Sequence, residues 1–325
     1  MAARRARATA GDWVQFSGRV VASLCCSEVR PRFCVHTAID EATTAMKTIL
    51  VPTEDDDAAM GSTLGLALAL ARRCDSHIEG FALRWKFTEF VSADMMGGIV
   101  VKADHREITR METQAREIFE SFMQKHGVPR STASTDLLSF GWLDNAPEGD
   151  AFVGSYGRVF DVIVMNRSGR NTTGLRNRAI YSGLFDSGRP ILLAPPSPPT
   201  QIGTNVLIAW NRSTEQARAT AHALPLLQKA ERVTVLTVIG GTEVSGPSAE
   251  QLVRYLRRNR IVTDLKTVEL NGRSTGETVL AVSRSLGSDL LIKGAYTQSR
   301  LRQMIFGGAT QHVLENAMIP VLFAT

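Results

Sequence analysis

NVLIAWNRSTEQARATAHALPLLQKAERVTVLTVIG, residues 205–240, holds two apolar runs separated by one mostly polar segment. The runs, NVLIAW (205–210) and RVTVLTVIG (232–240), are dense in aliphatic and β-branched residues. Strands covered on both faces read this way. The segment between them, STEQARATAHALPLLQKA (213–230), has the length and striping of a helix. Strand, helix and strand in this order predict a parallel unit. Ser213 and Gln216 stand at capping-box spacing, so Ser213 is expected to cap the helix while Gln216 reaches back.

The alternation continues to the C-terminus through the helical AEQLVRYLRRNR, the strand TDLKTVEL, the helical GETVLAVSRSLG, the strand DLLIKG and the closing strand IPVLF. Upstream, the same order is already present once. TILVPT, STLGLALALARRC and HIEGFALRW are followed by STDLLSF, the helical EGDAFVGSYGRVF, the strand DVIVMN and the closing RPILLAP. Duplication at domain scale is the natural reading. The first copy is longer, with its extra residues mostly between its second and third strands. Between the copies, PPSPPTQIGT makes a stiff, extended separator. The predicted architecture is α/β, two tandem doubly wound parallel-sheet domains. The first spans 46–196 with an insertion at about 86–115, the linker 197–204, and the second domain 205–325. Ligands of such sheets sit at the carboxyl ends of the strands, where the winding direction reverses.

Residues 1–45 fit neither copy and read as a disordered or non-native extension, translated upstream of a start at Met46, rather than as a targeting peptide. They carry six arginines against four acidic residues, so +2 of the net charge of +5 lies there. The remainder is too weakly basic for a nucleic-acid footprint. No apolar run approaches the roughly 20 residues of a membrane-spanning helix. Three of the four cysteines (Cys25, Cys26, Cys34) lie in this leader and none forms a C-x-x-C pair. A reducing cytoplasm is therefore the expected compartment. The six histidines are scattered without metal-ligand spacing. Phosphate-loop, dinucleotide and nucleophile-elbow motifs do not occur.

Two places in the second copy can meet a ligand. Asn211, at the tip of its first strand, either hydrogen-bonds a ligand or closes the turn. After its fourth strand comes GAYTQSRLRQMIFGGATQHVLENAMIPVLF, residues 294–323. Gly294 is expected to let the backbone turn, and Gly307 and Gly308 precede a helix whose free N–H groups and dipole attract phosphate. Arg300 or Arg302 would add charge. The same glycines equally suit a plain strand–loop–helix connection.

Residues 46–325 as a whole resemble a tandem universal stress protein, two UspA-type domains of the adenine nucleotide alpha hydrolase-like fold. The resemblance rests on the strand order, on MKTILVPT and NVLIAWNRS as openings, and on residues 294–323 as the closing unit. Nucleotide-binding members carry Gly-x2-Gly-x9-Gly-Ser/Thr there, and an Asp at the first strand tip. Carried over, Gly294 and Gly307 match the first and third glycines, while Thr297 replaces the second, Gly308 the hydroxyl residue and Asn211 the Asp. A β-branched Thr297 would resist a positive φ by roughly 1–2 kcal/mol. The implied site comprises Asn211, Val238, Gly294, Thr297, Arg300, Gly307, Gly308, Ala309 and Thr310, with ATP, and magnesium alongside it, as the cofactor.

The first copy departs further, with Asn166 for the first glycine and the acidic TEDDD at its strand tip. Those acids would repel phosphate unless a metal intervened; more simply, they suit the following helix N-terminus. The resemblance implies a stress-response binding module whose halves pair through their last strands, with homodimerisation as a further assembly. Two rivals stay open. One is a weak ATP hydrolase using Arg300 or Arg302; the other is a nucleotide-free interaction protein whose MMGGIVV (95–101) docks a protein partner.

Overall fold

In the first half of the chain the order is β1 (Thr48–Thr53), α1 (Asp57–Cys74), β2 (His77–Ala82), α2 (His105–Lys125), β3 (Ser139–Leu143), α3 (Ala151–Gly157), β4 (Val162–Met165), α4 (Gly174–Asp186) and β5 (Ile191–Leu193). The second half runs β6 (Asn205–Ala209), α5 (Thr214–His222), α6 (Leu224–Leu227), β7 (Arg232–Ile239), α7 (Ala249–Arg258), β8 (Thr263–Glu269), α8 (Thr275–Leu286), β9 (Leu290–Gly294), α9 (Gly308–Asn316) and β10 (Val321–Ala324). The computed structural model describes residues 46–84, 105–131, 137–167, 174–295 and 308–325. The leader, the MMGGIVV segment, Thr297, Arg300, Arg302 and Gly307 lie outside these residues.

All ten strands join one sheet, in the order β3-β2-β1-β4-β5-β10-β9-β6-β7-β8. Neighbours are parallel throughout except at the centre, where β5 and β10 pair antiparallel with Leu192 opposite Leu322. Each half is thus a 3-2-1-4-5 doubly wound sheet, and joining at β5 and β10 buries two edges that would otherwise be open to other chains. One core layer lies beneath α1, α2, α5 and α7 and is built from residues such as Ile49, Leu66, Phe119, Val206, Leu226 and Ile292. The other lies beneath α3, α4, α8 and α9, with Leu50, Phe81, Ile180, Leu207, Leu291 and Val313. Alternate residues of each strand feed opposite layers, which is why the strand sequences are continuously apolar.

The likeness of the two halves reaches single hydrogen bonds. Asp161, ahead of β4, accepts from Lys47 N (2.7 Å) and Thr48 N (2.9 Å) at the start of β1. Asp289, ahead of β9, accepts from Thr204 N and Asn205 N (both 2.9 Å) at the start of β6. In both halves a carboxylate therefore satisfies strand-end donors that no neighbouring strand reaches. The linker is fastened rather than free: Ser62 Oγ of α1 donates to Pro195 O at 2.6 Å, and Arg73 donates to Gly203 O at 3.0 Å.

Three local expectations are corrected. The predicted helix 213–230 is broken into α5 and α6 at Ala223, because Pro225 carries no N–H and its ring crowds the preceding turn. The third strand of the first half lies later than STDLLSF: SFGWL pairs with β2, and Leu137 is exposed. At α5 only half the capping box forms. Ser213 Oγ accepts from Gln216 N at 3.1 Å, while the Gln216 side chain turns into the sheet. Complete boxes occur instead at α7 (Ser248 and Gln251) and α8 (Ser274 and Glu277). The extra length of the first half lies partly in α2, with 21 residues against 10 in its counterpart α7.

Candidate functional site

The strand order reverses between β6 and β9, so their carboxyl ends form the crevice in which doubly wound sheets hold ligands. At the tip of β6, Trp210 N donates to Leu236 O (2.9 Å) and the Trp210 indole donates to Pro247 O (3.0 Å). Asn211 Oδ1 accepts from Ser213 N at 3.2 Å, a local turn that presents α5, and Arg212 takes a positive φ of 69°. The loop after β7 folds back over this tip: Val244 N donates to Asn211 O at 3.2 Å, and Glu243 pairs with Arg212 at 3.5 Å. Beneath it is a narrow cleft of about 20 Å³, lined in part by Ala209, Asn211, Val238, Glu243, Thr275 and Lys293.

Lys293, the penultimate residue of β9, is the group that inspection of the sequence missed. Its side chain points into this cleft and is 8% exposed. Nζ donates to Gly294 O (3.1 Å) and Thr310 Oγ1 (3.3 Å), and among the described residues no carboxylate lies within ion-pair distance. Burial pushes its ammonium down to about 8, because an unpaired charge out of water favours its neutral form. A lysine closing the otherwise apolar run DLLIK was the available signal.

Gly294 apart, the sequence-predicted residues divide into three groups. Asn211 and Val238 line the cleft. Gly308, Ala309 and Thr310 form the first turn of α9, which Lys293 ties to the cleft through Thr310. Thr297, Arg300 and Gly307 lie outside the described residues.

Gly294 stands at the crevice for a different reason from the expected turn. It is the last residue of β9, pairs with Ala324, and is not among the residues with positive φ. A Cβ at this position would lie 2.4 Å from Gln216 N and 2.7 Å from Glu215 C, both backbone atoms of α5. Gln216 then completes the strand end, accepting from Gly294 N at 2.7 Å and donating to Ile292 O at 3.3 Å. Gly294 is therefore the contact point at which α5 meets the sheet.

In the first half an ion pair and a helix cap stand at the corresponding strand tip. Glu54, at the tip of β1, receives Arg176 of α4 through both carboxylate oxygens, with Nε to Oε1 at 2.8 Å. Asp56 caps α1 by accepting from Ala59 N at 3.2 Å. Asn166, which replaces the first glycine, donates to Ala59 O at 3.0 Å and ties β4 to α1. The acidic tip thus serves an ion pair and a helix cap. Among the described residues no cluster of three or more His, Cys, Asp or Glu side chains could hold a metal ion, and no helix is long and apolar enough to cross a membrane.

Comparison with known proteins agrees with this architecture. Residues 204–324 match the model of the universal stress protein family. The match covers β6 to β10 and the whole C-terminal crevice; the preceding half is a second α/β body with the same strand order. A universal stress protein from Archaeoglobus fulgidus DSM 4304 superposes with a TM-score of 0.63 at 14% identity, over 86% of this chain and 98% of its own. A functionally unknown protein from Pseudomonas aeruginosa PAO1 does so with a TM-score of 0.50 at 15% identity, over 87% and 94%. At these identities the likeness shows the fold. None of the curated proteins compared matches the chain.

Proposed function

We propose that this protein, with a universal stress protein domain at residues 204–324, is a stress-response binding module that takes ATP or a related adenine nucleotide in its C-terminal half. The observation that carries the reading is the convergence at one crevice of Asn211, the apolar wall of Ala209 and Val238, and, through Lys293, the first turn of α9. The base would lie against Val238 and Ala209, with Asn211 offering polar contacts. The phosphates would lie toward α9, whose free N–H groups and dipole favour an anion. Glu243, the carboxylate lining the cleft, is already paired with Arg212, so magnesium would be held by the nucleotide's own phosphates.

A cleft of about 20 Å³ has to widen for such a ligand, since small-molecule sites measure roughly 300–1,000 Å³. The loop after β7 is the element that would yield, because it closes on β6 through a few polar contacts rather than through the core. Binding would thereby be coupled to a change of surface that a protein partner can read. In the first half, the Glu54–Arg176 pair takes the place of a ligand, and the module is asymmetric.

The test is to denature protein purified without added nucleotide and run the supernatant on ion-exchange chromatography, beside a Gly308→Asp variant. No atom of the described residues lies within 4 Å of the position a Cβ would take at Gly308. An aspartate at a helix start is itself stabilising, by about 0.3–1 kcal/mol, so the variant is expected to fold while repelling phosphate. Adenine nucleotide released from the unmodified chain and absent from the variant is the expected result. No release, together with no rise in melting temperature at millimolar ATP, would leave the nucleotide-free interaction reading in its place.

A further inference from the structure

Among the described residues, the buried cation of the C-terminal crevice, Lys293, has no counter-ion. Lys293 Nζ has three protons to donate, and its partners are a backbone carbonyl at 3.1 Å and a neutral hydroxyl at 3.3 Å. The described charged groups on the surrounding elements make no ion pair with it. Glu243 of the loop after β7 pairs with Arg212. Glu277 of α8 closes the cap on Ser274, accepting from its N–H at 2.8 Å. His312 of α9 packs against Gly276. Glu215 of α5 is buried, but its Oε2 has no hydrogen-bond partner and it makes no ion pair with Lys293. An ammonium out of water with neutral neighbours is costly, and an entering anion removes that cost. The hydroxyl it touches belongs to the first turn of α9, so two independent sources of positive potential meet at one point.

We propose that Lys293 is the specificity-determining cation of this cleft, receiving a phosphate of the ligand between Gly294 and Thr310 and thereby selecting phosphorylated adenosine over adenosine. The inference rests on the nucleotide reading above and names the residue that makes the site a phosphate site. It has a pH consequence. The ligand-free ammonium titrates at about 8, whereas phosphate is fully ionised above pH ~7.5. ATP affinity should therefore fall as pH rises from 7.5 to 9.5, with a proton taken up on binding in that range. Adenosine affinity should stay level.

The experiment is isothermal titration of the full chain with ATP and with adenosine, for the unmodified protein and for Lys293→Met, a side chain of similar length without charge. The expected result is a loss of about tenfold to a hundredfold in ATP affinity in the variant, the worth of one charge-assisted hydrogen bond, with adenosine affinity changed less than about threefold. The unmodified protein should also lose ATP affinity about tenfold or more between pH 7.5 and 9.5, a result that needs no variant to fold. If both proteins bind ATP equally and without pH dependence, the role of Lys293 is overturned while the nucleotide site stands. Equal loss of ATP and adenosine in the variant would make Lys293 a structural residue only. If the unmodified chain binds neither ligand, the nucleotide reading fails and this inference with it.

Discussion

Replacing Gly294 by alanine is expected to destabilise the protein by about 3 kcal/mol, the upper end of what forced overpacking costs. Alanine in a strand is ordinarily preferable to glycine by roughly 0.5–1 kcal/mol, so a change of this sign needs a specific cause. That cause is the approach of α5: the new Cβ would lie 2.4 Å from Gln216 N and 2.8 Å from Gln216 Cα. Backbone cannot swing aside as a flexible side chain can, so α5 must move. Its retreat would stretch both hydrogen bonds by which Gln216 completes the end of β9. Urea unfolding of Gly294→Ala beside Gly308→Ala separates this cause from a general intolerance of substitution, because a Cβ at 308 meets no atom of the described residues and should be neutral or better. An unchanged midpoint for Gly294→Ala would mean that the close approach of α5 is not what requires glycine there.

Lys293→Met is expected to act in the opposite direction. The lysine titrates at about 8 in the folded protein against an ordinary value of 10.5, a difference that corresponds to about 3 kcal/mol at 1.36 kcal/mol per pH unit. The folded pKa is lowered, so between pH 8 and 10.5 the unfolded chain holds a proton that the folded chain has released. Stability of the unmodified protein therefore rises with pH through that window, and below it the penalty is present in full. Methionine removes the penalty and forfeits the hydrogen bonds to Gly294 and Thr310, each worth about 1 kcal/mol. Net stabilisation at pH 7 is thus about 1–2 kcal/mol, and the difference between the two proteins shifts by about 3 kcal/mol toward the unmodified chain by pH 10.5. Denaturant titrations at pH 7, 9 and 10.5 read this directly. A pH-independent difference would show that Lys293 is not held out of water. With the phosphate role proposed for Lys293, stability and selectivity would oppose one another at this residue.

The architecture was legible in the sequence because strands covered on both faces leave unmistakable apolar runs, and because the same order of runs occurs twice. DVIVM and DLLIK carry the likeness of the halves down to the aspartates that clamp β1 and β6. Boundaries were less legible where one local signal competed with another. Pro225 split a helix that the apolar stripe alone would continue, and Gln216 found a better partner in β9 than in its own cap. The site was only partly legible for a related reason. A glycine in a motif does not disclose whether it serves a turn or a close approach, and Gly294 serves the latter. Glu54 gave no sign of Arg176, 122 residues away in sequence. Lys293 was overlooked because motif matching attends to the glycine that follows it, whereas its chemistry comes from burial.

The proposed function places an adenine nucleotide in the C-terminal crevice and not at the tip of β1, where Glu54 pairs with Arg176. Photolabelling of the full chain with azido-ATP, followed by peptide mapping, tests it most directly. Labelled peptides are expected to contain Trp210–Asn211 or Val238, with labelling abolished by excess ATP and none from residues 48–193. Competable labelling within 48–193, or no competable labelling anywhere at millimolar probe, would contradict it.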